Sequence, residues 1–527
     1  MPEIVPNGIV YICKGIPWDD SYISVRKFAS KTEQSTYISS KSKYNYNISY
    51  QRTNSTVTAQ RPALTCRVPQ LADNLQDCNY LMFQNTSMGS KWFYAFIKQI
   101  NFINPYNTEI VYEIDHYQTY LFDYTVLPSF VEREHTNDDG LYKNLVPEQF
   151  TNLDLMTVDV TNELASKNDY YINIWATTDY TGKTANGKMI DNVYQGLEVT
   201  SYKSNDPAGE VGYIHVNEFI NRFAETGKLD AIVGITMSPF KLEGNKAKKT
   251  ITIERPTVFG DYVPHNKKLF TNPYVNISVT NNNGSNIVYN YENFKLYSIA
   301  DAQPCEFDIN YIGSYNASMM VSPVFYNGDT SIQGRNSAVN TIETGNFPAC
   351  AWSGNAYANY LNTQYSGKVF SNIFNLLVGA IGVTAGATTS GASSLLGGVN
   401  SFISTEIERF NKSKNQGELG GTAANPVFNF KTDSVGFTFK RMAIRKETAK
   451  IIDGYFDLYG YATNEVKIPN ETGRPSWNYV KTQRVSLKGS MPVDSMKAIK
   501  AMYNNGVTFW HTNDVGNYGL NNQLAEG

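Results

Sequence analysis

Hydrophobic and polar positions change their rhythm several times along the chain, and the rhythm predicts the elements. Lys91-Trp92-Phe93-Tyr94-Ala95-Phe96-Ile97 is a short apolar run, which suits a strand covered on both faces. From Ile110 to Tyr120 the pattern alternates, with Ile110, Tyr112 and Ile114 on one side and Glu113 and Asp115 on the other. Such alternation predicts a strand with one face exposed. Arg133-Glu134-His135 then runs into the turn-forming cluster Asn137-Asp138-Asp139-Gly140, a candidate domain exit.

Between 141 and about 320, apolar stretches at Tyr170–Ala176, Ala231–Met237 and Thr250–Ile253 alternate with turns such as Asn281-Asn282-Asn283-Gly284. One helix is expected at Val216–Gly227, where Phe219, Ile220 and Phe223 share a face and Gly227 can end it. Lys446–Tyr459 places Ile451, Ile452, Tyr455 and Phe456 on one stripe before Gly460, the pattern of an amphipathic helix. Pro492–Tyr503 repeats it with Met496, Ile499, Met502 and Tyr503 ahead of Asn505-Gly506. Strands are expected before both helices, at Val435–Met442 and Tyr479–Leu487. No tandem repeat of fixed period is present, which argues against a solenoid or propeller.

One segment breaks these rhythms. Residues 369–405 form 37 consecutive positions without a charge in a chain that is 18% charged overall. Phe370, Ile373, Phe374, Leu377, Val378 and Ile381 follow the spacing of one helical face, with Leu376 beside them. Leu395, Leu396, Val399, Phe402 and Ile403 form a second, looser apolar block. Thr384-Ala385-Gly386-Ala387-Thr388-Thr389-Ser390-Gly391-Ala392 lies between them. The first block would extend only about 22 Å as a helix, short of the roughly 30 Å of a bilayer core. Two readings stay open on the residues alone: a buried core hairpin, and a loop stored under cover that inserts in a membrane. Glycines at 379, 382, 386, 391, 397 and 398, each weakening a helix by up to about 1 kcal/mol, are unusual for a core hairpin.

Composition narrows the class. Aromatics reach 13%, with 37 Tyr and 27 Phe, residues that favour half-buried pleated surfaces, and Asn, Ser, Thr and Gly supply turns. The expected fold is mainly β with a few helices, in several domains. A net charge of −3 argues against a general nucleic-acid binder, which needs a basic face, but allows a passive conduit. The cysteines (Cys13, Cys66, Cys78, Cys305, Cys350) are scattered and form no C-x-x-C, so they read as reduced packing residues. Met1–Val10 has neither the basic start nor the apolar core of a signal peptide.

Catalytic motifs are missing. There is no G-x-S-x-G, H-E-x-x-H or G-x-x-x-x-G-K-[ST]. His116, His135, His215, His265 and His511 are single and scattered. Glu132 and Glu134 with Asp138-Asp139 could suggest a glycosidase pair, yet nothing in their spacing sets an acid against a base. Asp138-Asp139-Gly140 lacks the longer ligand pattern of a calcium loop. The expectation is no enzyme, no cofactor and no metal.

Several stretches carry a family resemblance. Tyr80-Leu81-Met82-Phe83-Gln84-Asn85, the run from Lys91 to Phe96, Glu113-Ile114-Asp115, Gln118-Thr119, Phe122-Asp123 and Arg133-Glu134-His135 look like a signature. Tyr479-Val480-Lys481-Thr482, Asn505-Gly506-Val507-Thr508-Phe509-Trp510-His511-Thr512-Asn513 and Gly516-Asn517-Tyr518 continue it. Together they resemble the tail-knob (distal tail tube) proteins of small podoviruses infecting Gram-positive bacteria, over about residues 1–136 and 365–527.

The resemblance implies a virion protein of the tail tip, folded and assembled in the host cytoplasm. It implies a homo-hexameric tube in which viral DNA passes through the lumen non-specifically. It further implies contact with other tail proteins (tail tube or lower collar), host membrane lipids and the host cell wall. Its domain plan places 1–136 and 425–527 in a tube-wall domain and 137–320 in an inserted β-rich knob. The remaining pieces are a connecting segment (321–368), the membrane-active loop (369–405) and a return linker (406–424). The loop would plug the lumen and later insert, through the twelve apolar residues named above from Phe370 to Ile403, as a channel for DNA entry. A host-surface carbohydrate adhesin or a wall-degrading tail-tip hydrolase is the alternative.

Overall fold

The computed structural model describes residues 8–48, 64–84, 91–148, the greater part of 150–351, and 434–524. The chain is β-rich with few helices, and it divides into two compact units. The first comprises Met1–Asn152, Val263–Lys268 and Glu447–Gly527; the second comprises Leu153–Tyr262 and Leu269–Lys446.

The first unit contains a six-stranded antiparallel sheet. Its order is Ser42–Ile48, Gly8–Lys14, Cys78–Gln84, Trp92–Asn104, Asn107–Ile114 and Leu64–Val68. The apolar run at 92–97 is a strand covered on both sides. Phe93 and Ala95 join a core with Val10, Ile12, Leu81 and Ile110, whereas Tyr94 and Phe96 pack with Trp18, Ile38 and Tyr80 on the opposite face. That strand runs on to Asn104, well past the apolar run. The strand expected to reach Tyr120 ends at Ile114. Asp115 there accepts a hydrogen bond from the Gln118 amide and caps a short helix, His116–Tyr120. Expected on the exposed side, Asp115 is fully buried.

A second sheet of the first unit has the order Ser24–Arg26, Val507–Trp510, Trp477–Gln483, Ser129–Glu134 and Tyr461–Lys467. Ser24–Arg26 pairs with Val507–Trp510 in parallel, while the other pairings are antiparallel. The helix Val493–Asn505 contributes Ile499, Met502 and Tyr503 to a core shared with Val25, Tyr117, Val480 and Phe509. The strand expected over Tyr479–Leu487 is instead two, Trp477–Gln483 and Leu487–Gly489. Arg484, at φ +58°, interrupts it, because a left-handed residue cannot continue a pleated ladder.

The Lys446–Tyr459 helix occupies the residues its periodicity predicts. Ile452 and Phe456 are buried, but Ile451 is 74% exposed, off the buried stripe. Gly460 stops the helix at φ +64°, and a Cβ there would lie 2.2 Å from the Glu134 carbonyl oxygen. Both the dihedral and the space therefore require glycine.

The second unit holds three four-stranded sheets. One is ordered Leu155–Ser166, Ser434–Ile444, Val275–Thr280 and Asn286–Tyr289, the last two paired as a hairpin. Ser434–Ile444, grouped above with the C-terminal part of the chain, thus packs in this unit. Another is ordered Glu198–Lys203, Tyr171–Ala176, Ile232–Ser238 and Ala349–Ala351. The third is ordered Lys248–Ile253, Cys305–Ile312, Ser318–Pro323 and Ile342–Glu343. Three of these strands fall in or at the border of the stretch 321–368 read as a connector. Aromatic contacts tie the layers together, with Phe307 against Phe439 at 5.3 Å and Trp175 stacked on Tyr311 at 6.0 Å. Helical turns occur within 218–225, followed by Gly227 at φ +67°.

Candidate functional site

All twelve predicted insertion residues, from Phe370 to Ile403, lie outside the described residues, as does His215. The side chain of Cys350 also lies outside them. The remaining candidate side chains are placed, and most of them gather where the two ends of the chain meet.

Ser129–Glu134 is flanked on one side by Tyr461–Lys467 and on the other by Trp477–Gln483, so residues more than three hundred positions apart become neighbours. Glu132 pairs with Lys481 at 2.7 Å. Glu134 is buried; it accepts from the Asn470 amide at 2.7 Å and pairs with Lys467 at 2.6 Å. The two carboxylates stand two positions apart on one strand and take separate cations, so neither is set as an acid against the other as base. Asp138 Oδ1 accepts from the Gly140 amide at 2.8 Å, an Asx turn. Asp139 accepts the Tyr461 hydroxyl, and burial raises its pKa.

The histidines are likewise held. The Tyr479 amide donates to His135 Nδ1 at 2.7 Å, which leaves the Nε2 proton for the Asp457 carbonyl at 3.1 Å. Burial, reinforced by nearby Arg474, pushes the His135 pKa down to about 3. This imidazole is a neutral bracket between strand and helix. His511 sits on Asn478 Oδ1 at 3.1 Å, and burial near Lys27 and Arg26 pushes its pKa down to about 4. His116 Nδ1 lies 3.0 Å from the Ser495 hydroxyl. His265 is the exposed member, 3.0 Å from Asp457, and that hydrogen bond raises its pKa.

Glu148 and Asp115 are among the buried carboxylates that the sequence did not mark as buried. Glu148 takes Lys268 at 2.7 Å, Arg133 and the Ala462 amide. Two cations and an amide satisfy its lone pairs, as a buried charge requires. Asp115 accepts Tyr80 OH at 2.8 Å and Trp18 Nε1 at 3.2 Å besides the Gln118 amide. Desolvation still outweighs these bonds and raises its pKa from 3.8 to about 6. Asp115 three positions ahead of Gln118 has the spacing of a helix N-cap, the local signal that could have marked it. Cys13, Cys66, Cys78 and Cys305 are free thiols, buried, with pKa values raised to between about 11 and about 12 chiefly by burial. Among the described residues, no group of three or more His, Cys, Asp or Glu side chains is placed to hold a metal ion. The geometry is that of a joint: polar groups at the seam bond to backbone and to one another, and hold two distant chain segments in register.

Comparison with known proteins agrees with a structural role. The family profile for the C-terminal domain of tail knob protein gp9 of Bacillus phage phi29 matches residues 240–523. That of the Caudoviral major tail protein N-terminus matches residues 6–125. Tail knob protein gp9 of Bacillus phage phi29 is 24% identical over 608 aligned positions, covering 98% of each chain. The corresponding proteins of Bacillus phages B103 and PZA are 24% and 23% identical with the same coverage. The solved structure of the bacteriophage C1 tail knob protein, gp12, superposes with a TM-score of 0.56 at 13% identity, covering 96% of this chain and 97% of that one. With a tail-knob profile matching more than half of its length and relatives aligned end to end, this chain belongs to the phage tail knob protein family, structural components of the virion tail.

Proposed function

We propose that the protein is a non-catalytic subunit of a ring-shaped, hexameric conduit at the tail tip, and that residues 369–405 are its membrane-active element. In this reading the loops plug the lumen before infection, then leave it and form a channel for DNA in the host membrane. The observation that carries it is the run of 37 uncharged residues inside a phage tail protein. Its roughly ten large apolar side chains are each worth about 1.5–3 kcal/mol on leaving water. Exposed together on six subunits they would exceed the few hundred Å² of apolar patch that a protein surface tolerates. Storage under cover and release at the membrane resolve that conflict. Among the described residues no helix is long and apolar enough to cross a membrane, and each apolar block of the loop is itself too short. Several subunits must therefore insert together, with backbone groups satisfied by helix formation and mutual packing.

The test is deletion of 369–405, followed by electron microscopy of the purified particles and leakage of dye-filled liposomes. Rings should persist and leakage should be lost. The pair Phe374→Asp and Leu377→Asp should abolish leakage nearly as well, because each charge near the bilayer centre costs roughly 2.5–3.5 kcal/mol. If the deletion prevents ring formation, the segment is a core hairpin. If rings without it still leak dye, the membrane activity resides elsewhere.

A further inference from the structure

Val263–Lys268 belongs to the first compact unit, yet the chain on both sides of it, ending at Tyr262 and resuming at Leu269, belongs to the second. Six residues leave one unit, dock in the other and return. Pro264, Asn266 and Lys268 are buried, while Val263, His265 and Lys267 are exposed. Two of the three inward side chains are thus polar, and their anchors are unusually complete.

The docking partner is the Lys446–Tyr459 helix. Its Asp453 carboxylate, fully buried, accepts the His265 amide at 2.7 Å on Oδ2 and the Asn266 amide at 3.0 Å on Oδ1. Asn266 Nδ2 donates to Asp453 Oδ1 at 2.8 Å and to Asp457 Oδ1 at 2.7 Å. Asn266 Oδ1 in turn accepts the Tyr461 hydroxyl at 2.9 Å. His265 Nδ1 reaches Asp457 Oδ2, and Lys268 reaches Glu148 Oε1 and the Val146 carbonyl, the last at 2.8 Å. Consecutive backbone amides bound by one carboxylate make a clip of defined register.

We infer that Val263–Lys268 is a clasp, a polar latch on Asp453 that opens separately from the core of the first unit. The physical reason is the kind of contact. Hydrogen bonds exchanged for bonds to water contribute little net free energy when both partners become solvated, while their geometry fixes one docked arrangement. Buried apolar packing offers no such exchange. Closed, the clasp gives the chain four crossings between its units; open, it leaves two, at Asn152–Leu153 and at Lys446–Glu447. Opening also frees six residues, up to about 20 Å of extended chain. The clasp is thus a conformational device of the first unit, and it does not depend on the membrane reading of 369–405.

Native-state hydrogen exchange on the full-length protein tests it. In the wild type, the amides of 263–268 should exchange faster than those of Ser129–Glu134 and Trp477–Gln483, and independently of them. Asp453→Asn places an amide group against the His265 or Asn266 amide and leaves a donor without its acceptor. It should speed exchange across 263–268 about tenfold or more while leaving both strands unchanged. His265→Ala, which removes the exposed arm alone, should give a smaller increase at the same amides and serves if Asp453→Asn fails to fold. Wild-type amides of 263–268 that exchange only together with the two strands would overturn the proposal. So would an increase from His265→Ala that spreads equally to both strands, which would make the segment part of a single cooperative core.

Discussion

At the scale of single residues, burial rather than residue type decides what an ionisable group does. Glu132, Asp138 and His265 lie at the surface and behave as solvated or locally paired groups, whereas Glu134, Glu148, His135 and Asp115 are structural because each is enclosed and bonded. Asp115 gives a measurable consequence. Its folded pKa of about 6 lies above the ordinary 3.8, so the native state binds its proton more tightly than the unfolded chain does. Stability from this group is therefore fully present at the acid end and is lost as pH rises through about 6. In thermal unfolding scans, the stability difference between wild type and Asp115→Asn should shrink in the wild type's disfavour between pH 4 and pH 7. A difference that stays constant or grows over that range would show that the three hydrogen bonds, not desolvation, dominate. Periodicity could not have found this residue. Alternation tells which side chains share a face, and Asp115 lies one residue beyond the strand's end, where it is itself the helix cap.

At the scale of elements, the first unit depends on pairings between distant parts of the chain. Ser129–Glu134 receives its neighbours on both sides from the C-terminal part, and Ser24–Arg26 finds its ladder only through Val507–Trp510. A fragment of Met1–Asn152 alone keeps the six-stranded sheet but exposes the unpaired edges of these strands and the apolar face around Val25 and Tyr117, a template for aggregation. Expressed by itself, Met1–Asn152 should be largely insoluble, and co-expression with Glu447–Gly527 should recover soluble, co-purifying material. A well-folded monomeric fragment by sedimentation and circular dichroism would refute this interdependence. The helices were the elements most legible beforehand. Lys446–Tyr459 and Val493–Asn505 carry a 3.6-residue period together with a glycine that enforces the stop. Ile451 misleads because it stands at the margin of the stripe, and here it faces water. Tyr479–Leu487 misleads because the left-handed Arg484 leaves no mark in a hydrophobicity pattern.

For the whole molecule, net charge sets its relation to nucleic acid. On the proposed reading of the protein as a conduit, the genome must slide, and attraction to phosphates would hold it. With a formal charge of −3, the assembled particle should retain no duplex DNA in filter-binding or gel-shift measurements at about 0.15 M salt. Binding that weakens steeply with added salt would reveal a basic channel and contradict a free passage.

The local features were determined by the sequence itself: the strand-and-turn character of the chain, the two C-terminal helices with their glycine stops, the turn cluster Asn281-Asn282-Asn283-Gly284, and the uncharged run at 369–405. Each depends on neighbours within a dozen or so residues, where side-chain period and backbone preference act directly. Tertiary structure alone decided that Asp115 and Glu148 are buried, that Ser434–Ile444 packs with Leu155–Ser166, and that Asp453 grips a segment nearly two hundred positions away. Those outcomes depend on which surfaces meet, and the free energy of a buried carboxylate or a strand edge is fixed by its partner, which no local pattern names.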